Sequence, residues 1–531
     1  MNHDEKFYSL FLEEMNSLEA FRQNYAAAHS SLTLQEEDPD VKRLIESMAF
    51  FTGRTHKAAL DNVVATKQRI FQQHYPFLLR PMPSMAILQA SPTARCAEPV
   101  FVPNGTEMSF RTPKGKCAMF RTMQDLNILP LTQGNCRSWY LNDGGTRVQL
   151  IFDSFYQRND TIGELKLGIN YLNNYYTSLQ LIDCLKKHLK KVSVTFEKDV
   201  HEDTDSQVCP YSFGYTEGDE PLAYTHPVEK LRRFFHFPRT ELFFNIKIPK
   251  PPRNWSRFSI LLDLDSKWPK KMTIHKDAFL LSAVPVINLT RDMAAPFTYD
   301  ATQDSHPLSH NEPGFDFQIH SIRAAMRVTD EGMVPLRAGI LSGGNGSYEL
   351  EYQKTRDGNL SGNIKLNLPE AFKENTTIAA DAVWYQPWFS ELIAKKIDIA
   401  PYRRNFIGID WSVSGNIVPH EDNPMAESLD SFVQVLSLKN KAKFNYDDIK
   451  FMLKMLACIE KGAFKDISKL LKGVTIEEGS ARRSNYLLPA YIYKLEFREY
   501  DSNLEPIVNV FRDKFAEFLN IWATESEIEV F

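Results

Sequence analysis

The residues best suited to chemistry form one short run, Asp304-Ser305-His306-Pro307-Leu308-Ser309-His310, with Glu312 close behind. Imidazole and carboxylate are ligand types that a divalent transition metal takes from protein, and such a metal would activate water for hydrolysis. Pro307 and Pro313 place the run in a loop, where the helical geometry that would aim both histidines at one ion is not assured. It reads as a polar surface loop, and a metal-dependent hydrolase using His306 and His310 is the alternative. Glu197, Asp199, Glu202, Asp203 and Asp205 make a second acidic group. It lacks the turn glycine of a calcium loop and reads as a solvated hairpin tip. Gly343-Gly344-Asn345-Gly346 lacks the Lys-Ser/Thr that follows a phosphate-cradling loop. Lys186, Lys187, Lys190 and Lys191 gather at an expected helix end, where cations complement the helix dipole. HExxH, GxSxG and a GxGxxG after a strand are all missing from the sequence. The expectation is therefore no catalytic, cofactor-binding or metal-binding residue, and no cofactor.

What remains is aromatic. Leu231-Arg232-Arg233-Phe234-Phe235-His236-Phe237-Pro238-Arg239 is followed by Leu242-Phe243-Phe244. Phenylalanines this dense build cores, but Phe234, Phe235 and Phe237 are also candidate anchors for a partner, since aromatics and arginine dominate interface energies. Trp384, Tyr385 and Trp388 would suit a β-rich carbohydrate-binding protein if exposed and coplanar; their other role is core.

The elements that must position these residues can be read from periodicity. Phe7, Leu10, Phe11, Met15, Leu18, Phe21 and Tyr25 recur every three or four residues and predict a helix with one apolar stripe. Asp38 is a candidate N-cap with Pro39 at the first helical position. Val41, Leu44, Ile45, Met48 and Phe51 then line a face that continues through Leu60, Val63 and Ile70 to about Tyr75, where Pro76, Pro81 and Pro83 stop it. Short apolar runs between turn signals from about 86 to 160, and again from about 240 to 420, predict β-rich regions, with a helix near Tyr176–Lys190 between them. The C-terminal part is mixed: a helix around Ile449–Ile459, an amphipathic strand around Tyr491–Phe497, and a last helix opened by Pro506. The fold class expected is α+β, an elongated multi-domain chain. Its segments are 1–83 (helical), 84–245 (β-rich with an inserted helix), 246–425 (β-rich) and 426–531 (mixed).

Composition bounds the function classes. The chain has 531 residues, with 62 Lys+Arg against 67 Asp+Glu, a formal charge of -5. A dedicated nucleic-acid binder would carry a basic excess. Six scattered cysteines without a CxxC pair fit reduced thiols in a cytoplasmic protein. Neither a secretory signal nor an apolar stretch long enough to span a membrane is evident. Aromatic residues make up 12%, enough to build large cores and large interfaces.

Several runs, taken in order, resemble one family. They are Glu37-Asp38-Pro39-Asp40-Val41 leading into Arg43-Leu44, the run Tyr75-Pro76 to Pro83-Ser84-Met85-Ala86, and Val102-Pro103-Asn104-Gly105-Thr106-Glu107 with Phe120-Arg121-Thr122 and Leu129-Pro130-Leu131 downstream. His226-Pro227 through Phe234-Phe235-His236-Phe237-Pro238 to Phe243-Phe244 and Val284-Pro285-Val286-Ile287-Asn288-Leu289 complete the set. Together they are similar to the TssF baseplate-subunit family of bacterial type VI secretion systems over roughly residues 7 to 325. Beyond about residue 330 the resemblance thins, returning in the aromatic last helix.

That resemblance implies a structural role rather than catalysis. It implies a wedge of two copies of the chain with one TssG-like subunit, wedges placed around a VgrG-like spike, a TssK-like link toward the membrane complex, and sheath attachment through a TssE-like protein. The protein would be cytoplasmic and docked at the inner membrane through other subunits, without inserting in the membrane or binding nucleic acid. The helical segment would join an inter-subunit bundle, with Phe7, Phe11, Leu18, Val41, Leu44, Ile45 and Met48 at the interface beside Phe234, Phe235 and Phe237. Two copies in unequal surroundings must differ in arrangement, and the proline-rich stretch Pro76–Pro83 is the expected hinge.

Overall fold

A computed structural model describes residues 3–29, 39–214, 226–303, 305–339, 346–354, 360–368, 375–390, 397–422, 429–456, 462–483, 486–523 and 527–531. The fold is α+β, and contacts divide the chain into two units: Met1–Pro76 with Ser428–Val435, and Phe77–Glu427 with Leu436–Phe531.

The first unit is helical. Helix α1 runs His3–Ala28 and α2 runs Pro39–His74. Pro39 starts α2 where its missing N–H costs nothing, and Asp40 in the first turn suits the positive helix end. Asp38, the expected N-cap, lies outside the described residues.

In the second unit the helices α3 (Pro76–Leu79), α4 (Tyr175–His188) and α5 (Pro227–His236) alternate with sheets. Helices α6 (Leu429–Lys439), α7 (Tyr446–Met455), α8 (Lys465–Leu470) and α9 (Glu505–Trp522) follow, with α6 beginning in the first unit. A six-stranded antiparallel sheet takes its strands in the order 398–401, 107–111, 117–122, 283–287, 85–92, 409–418. In strand 85–92, Ala86, Leu88 and Ala90 enter one core with Phe110, Phe120 and Phe389, while Met85 and Ile87 enter another with Phe237, Phe243 and Tyr385. A strand buried on both faces reads as continuous apolar sequence, as Met85-Ala86-Ile87-Leu88 does. Among the described residues five further sheets form, and a C-terminal one takes strands 471–483, 486–497 and 527–530.

Pairing crosses the boundary expected at 245/246. Strand 85–92 lies between 283–287 and 409–418, and strand 255–264 pairs along 146–158. The two β-rich segments are therefore not successive modules but share their sheets, because the turns between short runs do not mark where a strand's partner lies.

The proline-rich stretch is built into the second unit. Phe77, Leu78, Leu79, Pro81, Met82, Pro83 and Ser84 are all buried. Arg232 of α5, 1% exposed, donates to the carbonyls of Phe77 (2.5 Å) and Arg80 (3.1 Å). Arg80 pairs with Glu229 at 2.9 Å. His236 Nε2 donates to Pro83 O at 3.1 Å, and His320 Nε2 to Pro81 O at 3.2 Å. The His226 ring lies flat on Phe77, centroids 3.6 Å apart. Burial pushes Arg232 down to about 10 and His320 down to about 4, so His320 is neutral. Burial alone would raise Glu229, but the Arg80, Arg233 and Arg232 guanidiniums hold it below the ordinary value. Of the expected hinge stretch Pro76–Pro83, residues 77–83 are thus packed into the second unit, their carbonyls held by buried donors from α5 and strand 318–329, a network that favours rigidity there.

Candidate partner-binding surface

The α1–α2 pair is organised around a close approach. Ala49 and Gly53, both buried, lie one turn apart on α2. A Cβ on Gly53 would sit in van der Waals contact with the Phe11 backbone at 3.4 Å, so the approach leaves room for a methyl group but not for a larger side chain. Phe7 meets Phe50 edge to face at 5.5 Å, the Lys57 ammonium lies 5.8 Å above the Phe7 ring, and Glu14 pairs with His56 at 3.1 Å. Further along α1, Arg22 binds Glu19 and holds its carboxyl below the usual range. Near the end of α2, Phe71 is buried and stacks on Phe432 of α6 at 4.3 Å.

These contacts cover only part of the apolar sequence. Leu44, Met48 and Phe51, at spacings of four and three, share a helix face away from Ala49 and Gly53. All three are exposed, Leu44 by 61% and Phe51 by 67%. Leu60, Val63 and Ile70 are exposed farther along α2. On α1 the stripe outlasts its cover: Phe7 and Phe11 lie where α2 packs, whereas Phe21 and Tyr25 are exposed and stack on each other at 6.0 Å. A run of exposed apolar residues at helical spacing is the mark of an interaction surface.

Of the residues expected at the interface, Leu44 and Met48 are exposed, and Phe7, Phe11, Leu18, Val41 and Ile45 are half-buried. Phe50, Phe51, Phe21 and Tyr25 extend the surface beyond the expected set; Phe51 already belonged to the α2 face by spacing.

Phe234, Phe235 and Phe237 stand corrected as partner anchors. They are 6%, 3% and 2% exposed. Phe234 and Phe235 of α5 pack on Phe464, Phe235 also on Phe511 of α9, and Phe237 on Met85 and Phe243. The carbohydrate platform fails similarly. Trp384 and Tyr385 are buried in different cores on opposite faces of one strand, and the Trp388 side chain lies outside the described residues. His306 stacks on Phe297 at 4.9 Å, while His310 packs on Phe317 and Trp384. Among the described residues no three His, Cys, Asp or Glu side chains gather as a metal site. Gly343, Gly344, Asn345 and Asp304 lie outside the described residues.

A chain that closes most of its aromatic core on itself but leaves a helical apolar stripe unpaired has the make-up of an assembly subunit. Residues 3–363 match the family described as Type VI secretion system, TssF, and the chain belongs to that family. No curated protein matches it. A chain of the type VI secretion system TssK-TssF-TssG baseplate subcomplex, solved by cryo-electron microscopy, is similar to it with a TM-score of 0.74 and 16% identity, over 92% of this chain and 96% of that one. A chain of the baseplate complex from the type VI secretion system is similar with a TM-score of 0.56 and 14% identity, over 98% of this chain and 93% of that one. At such identities the likeness is one of fold. Among the described residues no helix is long and apolar enough to cross a membrane.

Proposed function

We propose that this protein is a structural component of a type VI secretion baseplate, a wedge subunit that assembles with a TssG-like protein. Family membership supports the system, and the solved relative standing with TssK and TssG in a baseplate subcomplex supports the company. The observation that carries the reading is the exposed apolar stripe of α2, Leu44-Met48-Phe51, beside the uncovered end of the α1 stripe. In a wedge these faces would enter a helix bundle with the TssG-like subunit and with a second copy of the chain. TssK-like, TssE-like and VgrG-like neighbours, a position in the cytoplasm docked through other subunits at the inner membrane, and a scaffold role without catalysis complete the proposal.

The test is co-expression with the TssG-like subunit from the same system. Leu44→Asp is expected to abolish co-purification while the subunit stays soluble and folded. Retained co-purification, or an unfolded subunit, would overturn the assignment of this face.

A further inference from the structure

Arg239 follows the aromatic run of α5, and the wedge reading gives it no role. It sits half-buried at the edge of a small cleft in the second unit, lined by Ile87, Ile169, Asn170, Leu242, Leu280 and Ser414 among others. Its guanidinium reaches Asn173 O at 3.1 Å and Asn170 Oδ1 at 3.5 Å, both neutral acceptors. Among the described residues no carboxylate pairs with it, and burial lowers its pKa with no acid opposing. A guanidinium drawn out of water in apolar surroundings is ordinarily matched by an anion.

Two further features are fitted to this side chain. Gly415 has φ +79, and a Cβ there would lie 2.5 Å from Arg239 Nη1, so the backbone is bare where the guanidinium passes. Leu172 and Asn173 both take φ 51, left-handed values that L residues seldom adopt, and Leu172 is left 67% exposed beside the arginine's partners. Non-glycine residues held in this region cluster at binding sites. The interior of the cleft has room for about one water, far below the roughly 300–1,000 Å³ of small-molecule sites, so a group that meets Arg239 stays at its mouth.

We propose that the mouth of this cleft is a docking point for a partner subunit of the baseplate, which lays an aspartate or glutamate carboxylate on Arg239 while an apolar neighbour covers Leu172. The inference rests on the assembly reading above but concerns a surface distinct from α1 and α2. Arginine is enriched at interface hot spots, and a carboxylate can take both arms of its fork.

The test uses the full chain with a photo-crosslinking phenylalanine analogue at position 172, co-expressed with the TssG-like and TssK-like subunits of its system. The expected result is a cross-link to a partner peptide carrying Asp or Glu. Arg239→Gln should lower its yield at least tenfold, Arg239→Lys should retain part of it, and both should leave the melting temperature and the α2-dependent co-purification unchanged. A complex that forms without the cross-link, or one whose cross-link survives Arg239→Gln, overturns the docking point and leaves the wedge reading standing. Binding of acetate or phosphate alone, with no partner cross-link, likewise overturns it. Failure of any complex to form overturns both readings.

Discussion

Phe51→Ala separates a partner-binding face from a folding face. Phe51 is 67% exposed, so its own fold buries only a third of it. A phenylalanine offers about 150–250 Å² for burial, so two thirds leaves about 100–170 Å², or about 2.5–4 kcal/mol at about 25 cal/mol per Å². If a partner covers that area, the substitution should weaken binding by about two to three orders of magnitude, at about 1.4 kcal/mol per decade. The subunit itself should change by no more than about 0.5 kcal/mol, as for other exposed positions. The assay is titration calorimetry against the TssG-like subunit, paired with urea unfolding of each variant alone. A dissociation constant within threefold of the parent would refute the reasoning, because Phe51 would then stay in water in the complex. A loss of several kcal/mol in the isolated subunit would refute it from the other side.

Arg232→Met should destabilise the second unit by about 3–5 kcal/mol, since it orphans the Phe77 and Arg80 carbonyls and removes a charge that faces buried Glu229; urea unfolding and new proteolytic cleavage within 77–84 report it. His320 has a folded pKa of about 4 against an ordinary 6.5, so the unfolded chain binds more protons between those values and stability falls with pH. At about 1.4 kcal/mol per pKa unit, the loss from pH 7 to pH 5 should be about 2 kcal/mol, and His320→Gln should remove that slope in parallel urea titrations. Gly53→Ala should be neutral or stabilising, because its Cβ meets the Phe11 backbone at 3.4 Å and alanine gains about 1 kcal/mol over glycine in a helix. Gly53→Ile should displace α1, read as faster hydrogen exchange across residues 7–18.

The helices were legible because their signals are local. The three-and-four spacing from Phe7 to Tyr25 and the Pro39 start need no distant partner, and α1 and α2 occupy those residues. Sheet order was not legible, since it depends on partners far along the chain: Met85 faces Ile287 and Leu88 faces Val413. The interface suggested for Phe234 and Phe235 failed for a related reason. Core and interface draw on the same aromatic residues, and Phe464 and Phe511 of the C-terminal part decide between them. His306 and His310 suggested chemistry by type alone, and the rings surrounding them come from other strands. Arg239 stood in view in the sequence, but only the fold shows that no carboxylate among the described residues reaches it.

The runs that carried the family resemblance meet in space. Arg232 of the His226–Phe244 run binds Phe77 and Arg80 of the Tyr75–Ala86 run, and His236 binds Pro83. The latter run continues into strand 85–92, where Met85 pairs with Ile287 of the Val284–Leu289 run, and Ile287 pairs in turn with Arg121. Four of the five recognised runs are thus one packed region around residues 77–88. What they identify is the scaffold, and substitutions in them should act first on folding. The surface that would join this scaffold to its neighbours lies in α1 and α2, reached only by the opening Asp-Pro-Asp-Val run, and at the Arg239 cleft, whose Arg239 and Leu242 belong to the His226–Phe244 run. Recognition of the family and the α1–α2 contacts therefore rest largely on different residues, so loss of assembly with an unchanged melting temperature is the signature that distinguishes a contact residue from a scaffold one.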